Sequence, residues 1–237
     1  MDKNITKARA YFYEFLAYPL FFHTSDEKFA RWKEQLSYLA QNPLSEQSAE
    51  AFANLEEFSF DELVNEQNEI LFGFTNIPLS ASFYEEGRDN GAARLRVIHC
   101  LNLSPYRRDK ELCKDSEDYV GFIFLAMATF LNDEFNGAKN ISDKLFNETL
   151  NLFVDEFGSL LLAHKNANFF RSYALILKDF IELERAVLNV EAPAKPQGDS
   201  VAMAALKKEP FQSKMPTIKT KLHWEEFSPV ISHEFKD

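Results

Sequence analysis

The chain has 237 residues, the length of one large domain or of a domain with a shorter appended segment, and it is 46% hydrophobic with 24 Phe, which argues against disorder. Its 7 Gly and 9 Pro are too few for the frequent tight turns of a β-sandwich or β-barrel. The net charge of −11 repels nucleic-acid phosphates and anionic lipid, so neither is expected as a partner.

Apolar residues recur at helical spacing along most of the chain and predict an all-α fold with a single globular multi-helix domain. Thr24 and Ser59 are each followed three residues later by Glu, which is typical of capping boxes that begin helices. In chain order, helices are predicted over 5–17, after Thr24, after Ser59, near 91–102, and over 117–131, 144–163 and 168–189. Residues 117–131 are apolar on nearly every side, so we expect them to form the buried central helix. Residues 73–91 are predicted to be irregular.

The composition changes at Pro193, because five of the nine prolines fall in the last 45 residues. We therefore predict a helical domain over 1–192 and a mostly irregular arm over 193–237, docked on the body or on a partner subunit. Alternating residues in this arm indicate an extended strand: Ile218, Thr220, Leu222 and Trp224. The short apolar run Val201–Lys208 is expected to pack on the body, with the alternative that it covers a peptide-binding groove.

Charge is also unevenly distributed along the helical part. From Glu34 to Gly87 the sequence has eleven acidic residues and no Lys or Arg. One flank of the molecule is therefore predicted to be strongly electronegative.

The sequence contains no recognisable catalytic or metal-binding motif. The five His lie in separate segments without metal-ligand spacing, and Cys100 and Cys113 are too few for a disulfide framework or a four-thiolate zinc site. Phosphate-binding glycine loops and a nucleophile elbow are also missing. We expect a protein that is not an enzyme and has no metal and no cofactor.

Membrane association is not expected either. The longest uncharged apolar stretch, 119–132, is shorter than the ~20 residues that span a bilayer, and no apolar signal segment begins the sequence. A cytoplasmic location without stable membrane insertion follows as an expectation.

The segment 111–119 concentrates acidic residues directly before the most apolar helix. Asp115 or Ser116 can cap that helix, and Glu117 and Asp118 suit the positive end of its dipole. Capping needs one or two such groups, and Glu111 adds a further one. Surplus acids beside a hydrophobic groove are suited to a peptide with a basic segment followed by an apolar segment.

Several segments resemble, in order, the TorD/DmsD/NarJ family of redox-enzyme maturation chaperones, over most of residues 5–190. The first helix is similar to the family's opening aromatic helix, and the later segments to its "Leu-Phe-x-Gly", proline-serine-tyrosine-"glu-gly", "Glu…Pro-x-Asp-His" and "Pro-Phe-Tyr-x-x-x-Ala" motifs. The matching residues are 10–17, 69–73, 78–87, 111–119 and 168–174. Ser116 stands where the family usually has proline, and Tyr119 where it usually has histidine.

The resemblance implies a TorD-like cytoplasmic chaperone. Such a protein binds the twin-arginine signal peptide, or the apo form, of a molybdenum-cofactor oxidoreductase precursor until its cofactor is inserted before export. The client would be of the formate dehydrogenase or S- or N-oxide reductase type. Tyr119 cannot titrate like histidine, but it can hydrogen-bond and stack against a peptide.

We expect the signal peptide to lie in a groove near the 71–87 loop and the start of the 117–131 helix. The predicted peptide-binding residues are Glu111, Asp115, Ser116, Glu117, Asp118, Tyr119, Leu71, Phe72, Phe83, Tyr84, Glu85 and Glu86. Two alternatives remain: an assembly factor for a membrane-bound oxidoreductase that acts on the mature subunit, and a nucleotide hydrolase, which the missing phosphate loop disfavours. A homodimer is possible.

Overall fold

The computed structural model describes residues 3–23, 25–73, 76–194 and 197–207, and within them the protein is all-α, as predicted. The helices are α1 (Lys3–Ala17), α2 (Glu27–Ala40), α3 (Glu46–Glu57), α4 (Phe60–Ile70), α5 (Ala81–Glu86), α6 (Ala92–Asn102), α7 (Val120–Phe135), α8 (Ser142–Leu145), α9 (Asn151–Ala163), α10 (Phe169–Leu188) and α11 (Val201–Leu206). A 3-10 turn over Tyr18–Leu20 follows α1, and a π-helical turn over Phe146–Leu150 joins α8 to α9. The only extended pairing among the described residues is a single bridge between Ser80 and Tyr119.

The core forms where α1 packs along α7 and where α10 packs against α3 and α9. Aromatic rings dominate it: Phe12 stacks on Phe180 at 4.8 Å between centroids, and Phe15 stacks on Trp32 at 5.2 Å. The predicted central helix corresponds to α7, which buries most of its residues but leaves the stripe of Phe122, Leu125 and Thr129 partly or fully exposed. The aromatic residues thus provide the apolar area that stabilises a helical domain of this size.

A buried ion pair joins α1 to α10 inside this core. The Arg9 guanidinium donates to both carboxylate oxygens of Glu184, at 2.6 and 3.0 Å, and the Tyr13 hydroxyl donates to the same carboxylate at 2.9 Å. A buried charge pair of this kind fixes the position of one helix against another, because removing either partner leaves an uncompensated charge.

The helix boundaries follow local capping only in part. The predicted box at Ser59 is present, because Glu62 N donates to Ser59 Oγ at 3.3 Å and Ser59 N donates to the Glu62 carboxylate at 2.8 Å. Thr24 lies outside the described residues, and α2 begins at Glu27. Helix α3 was not predicted; its box pairs Ser45 with Ser48, without the usual Glu or Gln.

A carboxylate from another helix begins α10. Glu66 of α4 accepts hydrogen bonds from the backbone N–H groups of Asn168, Phe169 and Phe170 at 2.8–2.9 Å. These N–H groups have no partner within their own helix, so α4 and α10 are joined at this point.

The compact unit extends to Leu206 and so includes the first part of the arm that was predicted over 193–237. Helix α11 packs on α5 and buries Ala202 completely. Gly87 ends α5 at φ 67°, and a Cβ at that position would lie 3.0 Å from Ala205 Cβ, so glycine permits this close contact. The rest of the predicted arm, including the alternation from Ile218 to Trp224, lies outside the described residues.

Candidate functional site

A cleft of about 740 Å³ opens between α1, α2, the 3-10 turn and α7. Aromatic and aliphatic side chains make up most of its lining, with a few charged groups among them. The lining residues are Tyr11, Glu14, Tyr18, Phe21, Phe22, His23, Lys28, Arg31, Trp32, Glu34, Gln35, Leu112, Cys113, Phe122 and Leu125. Its size and lining are those of a ligand site.

Large apolar side chains are exposed to solvent at this cleft. Leu112 is 86% exposed, Phe22 59% and Leu125 40%. The patch extends beyond the lining, because the exposed Phe72 ring meets Phe22 edge-on at 6.2 Å and the exposed Tyr38 ring meets Tyr11 edge-on at 5.5 Å. A concentration of exposed apolar surface around a concave site is typical of a binding surface for another molecule.

One wall of the cleft forms because Pro19 ends α1. Proline has no N–H, so the Phe15 carbonyl loses its usual helical donor and instead accepts from Trp32 Nε1 at 3.0 Å. The Leu16 carbonyl accepts from the Tyr173 hydroxyl at 2.8 Å. Side chains of α2 and α10 therefore replace the missing helical bonds.

The turn that follows is held in the same way. Gln67 Nε2 of α4 donates to the carbonyls of Pro19 and Phe21 at 2.7 and 3.0 Å, and the Tyr119 hydroxyl donates to the Leu20 carbonyl. With its carbonyls bonded to distant elements, this wall is held in place by the fold itself. A preformed site loses less entropy on binding.

Tyr18 and His23 stack inside the cleft at 3.9 Å, with His23 Nε2 donating to the Tyr18 carbonyl at 2.8 Å. Burial lowers the pKa of His23, so its ring is neutral at pH 7. Burial, with a contribution from Asp26, raises the pKa of the Tyr18 hydroxyl to about 12. That hydroxyl oxygen is buried and has no hydrogen-bond partner among the described residues.

The predicted site residue Asp118 is fully buried and anchors the fold. Its carboxylate accepts from Ser80 Oγ at 2.7 Å, from Ser82 Oγ at 2.5 Å and N at 3.3 Å, and from Ser116 Oγ. Burial alone would raise the pKa of Asp118, but these hydrogen bonds outweigh it and lower the pKa below its ordinary value. Asp118 and Ser116 thus have their partners inside the chain, and neither lines the cleft.

Backbone pairing strengthens the same junction. Ala81 N donates to the Asp118 carbonyl and Val120 N to the Leu79 carbonyl, both at 2.8 Å, which attaches the segment before α5 to the start of α7. Tyr119 lies between these bonds, is buried, and packs on Phe21 at 5.4 Å. Tyr119 therefore does not line the cleft but positions Leu20 and Phe21 of its wall.

The Glu117 carboxylate also has its partners inside the chain. It forms ion pairs with Arg94 Nε at 2.7 Å and Arg108 Nε at 2.9 Å, and the net effect of these bonds, against burial, is a lowered pKa for Glu117. Arg108 Nη1 additionally donates to the carbonyls of Cys113 and Asp115 at 2.9 and 2.5 Å. The acidic segment 111–119 is thus folded around an arginine of its own chain.

Two acids of this segment remain exposed. Glu111 is 89% exposed and makes one surface pair with Lys114 at 3.3 Å, and Asp115 is exposed as well. Leu112 and Cys113 between them line the cleft. The segment therefore reaches the cleft through its apolar members.

The other predicted residues lie outside the cleft lining. Leu71 is buried; Tyr84 is buried against Phe153 with its hydroxyl on the Pro78 carbonyl; and Phe83 is half-buried.

Glu85 and Glu86 form ion pairs with neighbouring arginines of the chain. Only Phe72 borders the cleft, through its contact with Phe22. The cleft lies at α1, α2 and the first turns of α7, and the groove predicted near the 71–87 loop and the start of the 117–131 helix shares the start of α7 with it. Helix α11 lies away from the cleft, on α5.

Sequence reasoning missed the α1 and α2 residues of the cleft. Tyr11 is half-buried and lines the opening. The signal that was available is the pair Phe21-Phe22, which follows Pro19-Leu20, because large apolar residues grouped beyond the end of a helix can belong to an exposed apolar patch.

Within the described residues, no group of His, Cys, Asp and Glu is arranged to hold a metal ion, and no helix is long and apolar enough to cross a bilayer. No protein-family model matches the chain. No curated protein matches it either.

Proposed function

We propose that this protein is a chaperone that binds an apolar segment of a client polypeptide in the cleft between α1, α2 and α7. The observation that supports this proposal is the cluster of exposed apolar side chains at a preformed concave site, in particular Leu112, Phe22 and Leu125. Exposed leucine and phenylalanine at such a site favour a partner that covers them.

The expected affinity suits reversible capture. Burying three or four large apolar side chains of a client contributes roughly 1.5–3 kcal/mol each, and ordering a flexible peptide costs roughly 2–5 kcal/mol or more. Only the upper end of the difference, about 8–10 kcal/mol, corresponds to a dissociation constant at or below the micromolar level, and the middle of the range is closer to millimolar. Such a complex protects the segment and still releases it.

The resemblance in the sequence supports a specific client class. A TorD/DmsD/NarJ-type chaperone holds the precursor of a molybdenum-cofactor oxidoreductase in the cytoplasm. The twin-arginine signal peptide of that precursor has a basic segment followed by an apolar segment. We assign the apolar segment to the cleft, whereas Asp118, Glu117 and Tyr119 support its walls.

Trp32 fluorescence provides a direct test, because this residue lines the cleft. The chain has one other tryptophan, so Trp224→Phe leaves Trp32 as the only reporter. The probe is a synthetic peptide with two adjacent arginines followed by an apolar run of about three helical turns. Titration should give a saturable change, and a peptide whose apolar run is interrupted by aspartates should give none.

A pair of double variants locates the binding site. Phe22→Ser with Leu112→Ser should weaken binding at least about tenfold, because both side chains lose the apolar area that the peptide covers. The matched control is Leu152→Ser with Leu183→Ser, which changes exposed leucines of α9 and α10 outside the cleft lining. Equal effects of the two double variants would refute the proposed site. Binding to the mature client subunit but to no signal peptide would favour the assembly-factor alternative.

A further inference from the structure

The cleft has two chemically different ends. At one end Tyr11 is accompanied by Glu14 of α1 and Glu34 of α2, both of which line the cleft. Burial raises the pKa of the Tyr11 hydroxyl, and electrostatic interactions with Glu14, Tyr38 and Glu34 raise it further. Both carboxylates therefore lie close enough to act on this side chain. The Tyr11 end is therefore electronegative.

At the other end the lining is aromatic, and the nearby charges of Asp26 and Lys28 have opposite signs. Phe21 and Phe22 lie there beside the stacked Tyr18 and His23, and the positive charge of Lys28 acts on His23. Tyr11 lies in α1 and Tyr18 begins the 3-10 turn that continues it, so seven residues, or about 10 Å at the rise of a helix, separate the two ends.

Neither carboxylate at the Tyr11 end has a cationic partner in the part of the chain that the structure describes. Glu14 and Glu34 are exposed, and neither forms a hydrogen bond or an ion pair with a described residue. Arg31, which lines the cleft one turn before Glu34, does not pair with either carboxylate. Glu117, in contrast, is paired with two arginines of the chain. The Tyr11 end thus has negative charge to offer to a ligand.

Two tyrosine rings stand beside these carboxylates. Tyr11 and Tyr38 meet edge-on at 5.5 Å, and Tyr38 is 61% exposed. A guanidinium group stacks on aromatic faces and pairs with carboxylates through its planar fork of donors, whereas an ammonium group does only part of this. The combination of two tyrosines and two glutamates therefore suits arginine.

We propose that Tyr11, Tyr38, Glu14 and Glu34 bind arginine side chains of the client's basic segment, with the apolar segment directed toward Phe21 and Phe22. This inference rests on the proposed function and adds the position and the direction of the peptide. A basic segment followed closely by an apolar segment fits the order and the spacing of the two ends.

Charge deletion on both partners tests the proposal. The protein variant is Glu14→Gln with Glu34→Gln, and the second peptide has both arginines replaced by glutamine. The double variant should lose about tenfold in affinity for the arginine peptide at low salt, and less than twofold for the glutamine peptide. The control is Glu50→Gln with Glu57→Gln, which makes the same charge change at exposed positions of α3 and should lose less than twofold for both peptides.

The outcomes separate this inference from the proposed function. If the arginine peptide binds and the Glu14/Glu34 variant loses no more affinity than the control, the arginine site is refuted and the apolar cleft stands. If neither peptide binds wild-type protein, both proposals fail. A second readout is the pKa of Tyr11, which should fall when the arginine peptide binds, since a bound cation stabilises the tyrosinate, and should not fall with the glutamine peptide.

Discussion

The acidic segment around Asp118 and the cleft beside Tyr11 contain the same kinds of side chain and use them differently. Asp118 is buried and accepts hydrogen bonds from three serines. Glu14 and Glu34 are exposed and have no cationic partner among the described residues. Charges with partners inside the chain hold the fold, whereas unpaired charges beside exposed apolar surface are available to bind another molecule.

Among the substitutions that test this comparison, Asp118→Ala is expected to change the free energy of unfolding most. The substitution leaves the hydroxyls of Ser80, Ser82 and Ser116 without their shared acceptor, so we expect the free energy of unfolding to fall by about 3–5 kcal/mol. Urea unfolding followed by circular dichroism measures the change. Unchanged stability together with lost peptide affinity would instead assign Asp118 to client binding.

Acid pH provides a control on the same residue. Because the folded-state pKa of Asp118 is lowered, its contribution to stability is fully present above the unfolded value of about 3.9 and is lost as the pH falls through the lower folded value. The melting temperature of wild-type protein should therefore fall more steeply below about pH 4 than that of Asp118→Asn. Parallel curves for the two proteins would contradict this role.

An intermediate effect is expected for Tyr119→Phe. Removing the hydroxyl leaves the buried Leu20 carbonyl without this donor, so we expect a loss of about 1–2 kcal/mol in unfolding free energy and a modest loss of peptide affinity. The matched control is Tyr106→Phe, whose exposed hydroxyl bonds to Asp133 at the surface and whose removal should change neither quantity. A loss of affinity without any loss of stability would indicate direct contact between Tyr119 and the client.

The smallest effect is expected for Glu111→Gln combined with Asp115→Asn. Both side chains are exposed, so the unfolding free energy should change by less than about 0.5 kcal/mol and peptide affinity by less than twofold. Calorimetric titration with the arginine peptide measures the second quantity. A tenfold loss would return the arginine-binding role to the acidic segment and remove it from Glu14 and Glu34.

The all-α fold was predictable because helices α1, α4, α7 and α10 carry long apolar stripes that are buried in the core. Helix α3 was missed because Ser48 replaces the acidic residue of its capping box. Helix α5 was missed because its six residues contain no capping signature and are held by packing with α6, α9 and α11. Local signals are weak where tertiary contacts determine a short helix.

The site was harder to predict because an acidic residue looks the same in sequence whether its partner is internal or absent. Two of the three serines that bind Asp118 lie 36 and 38 residues away, and Arg94, which pairs with Glu117, lies 23 residues away. Only the fold brings these groups together. The prediction that a basic and apolar peptide is the ligand remains a prediction, and the structure moves its proposed contacts to α1 and α2.

The wall of the cleft depends on donors that come from widely separated parts of the chain, since Trp32, Gln67, Tyr119 and Tyr173 all hold the carbonyls between Phe15 and Phe21. During synthesis the first of these carbonyls emerges long before the tyrosine of α10 is made. A nascent or partly unfolded copy therefore lacks the finished surface, and the wall of the cleft is complete only when the last of these helices has docked.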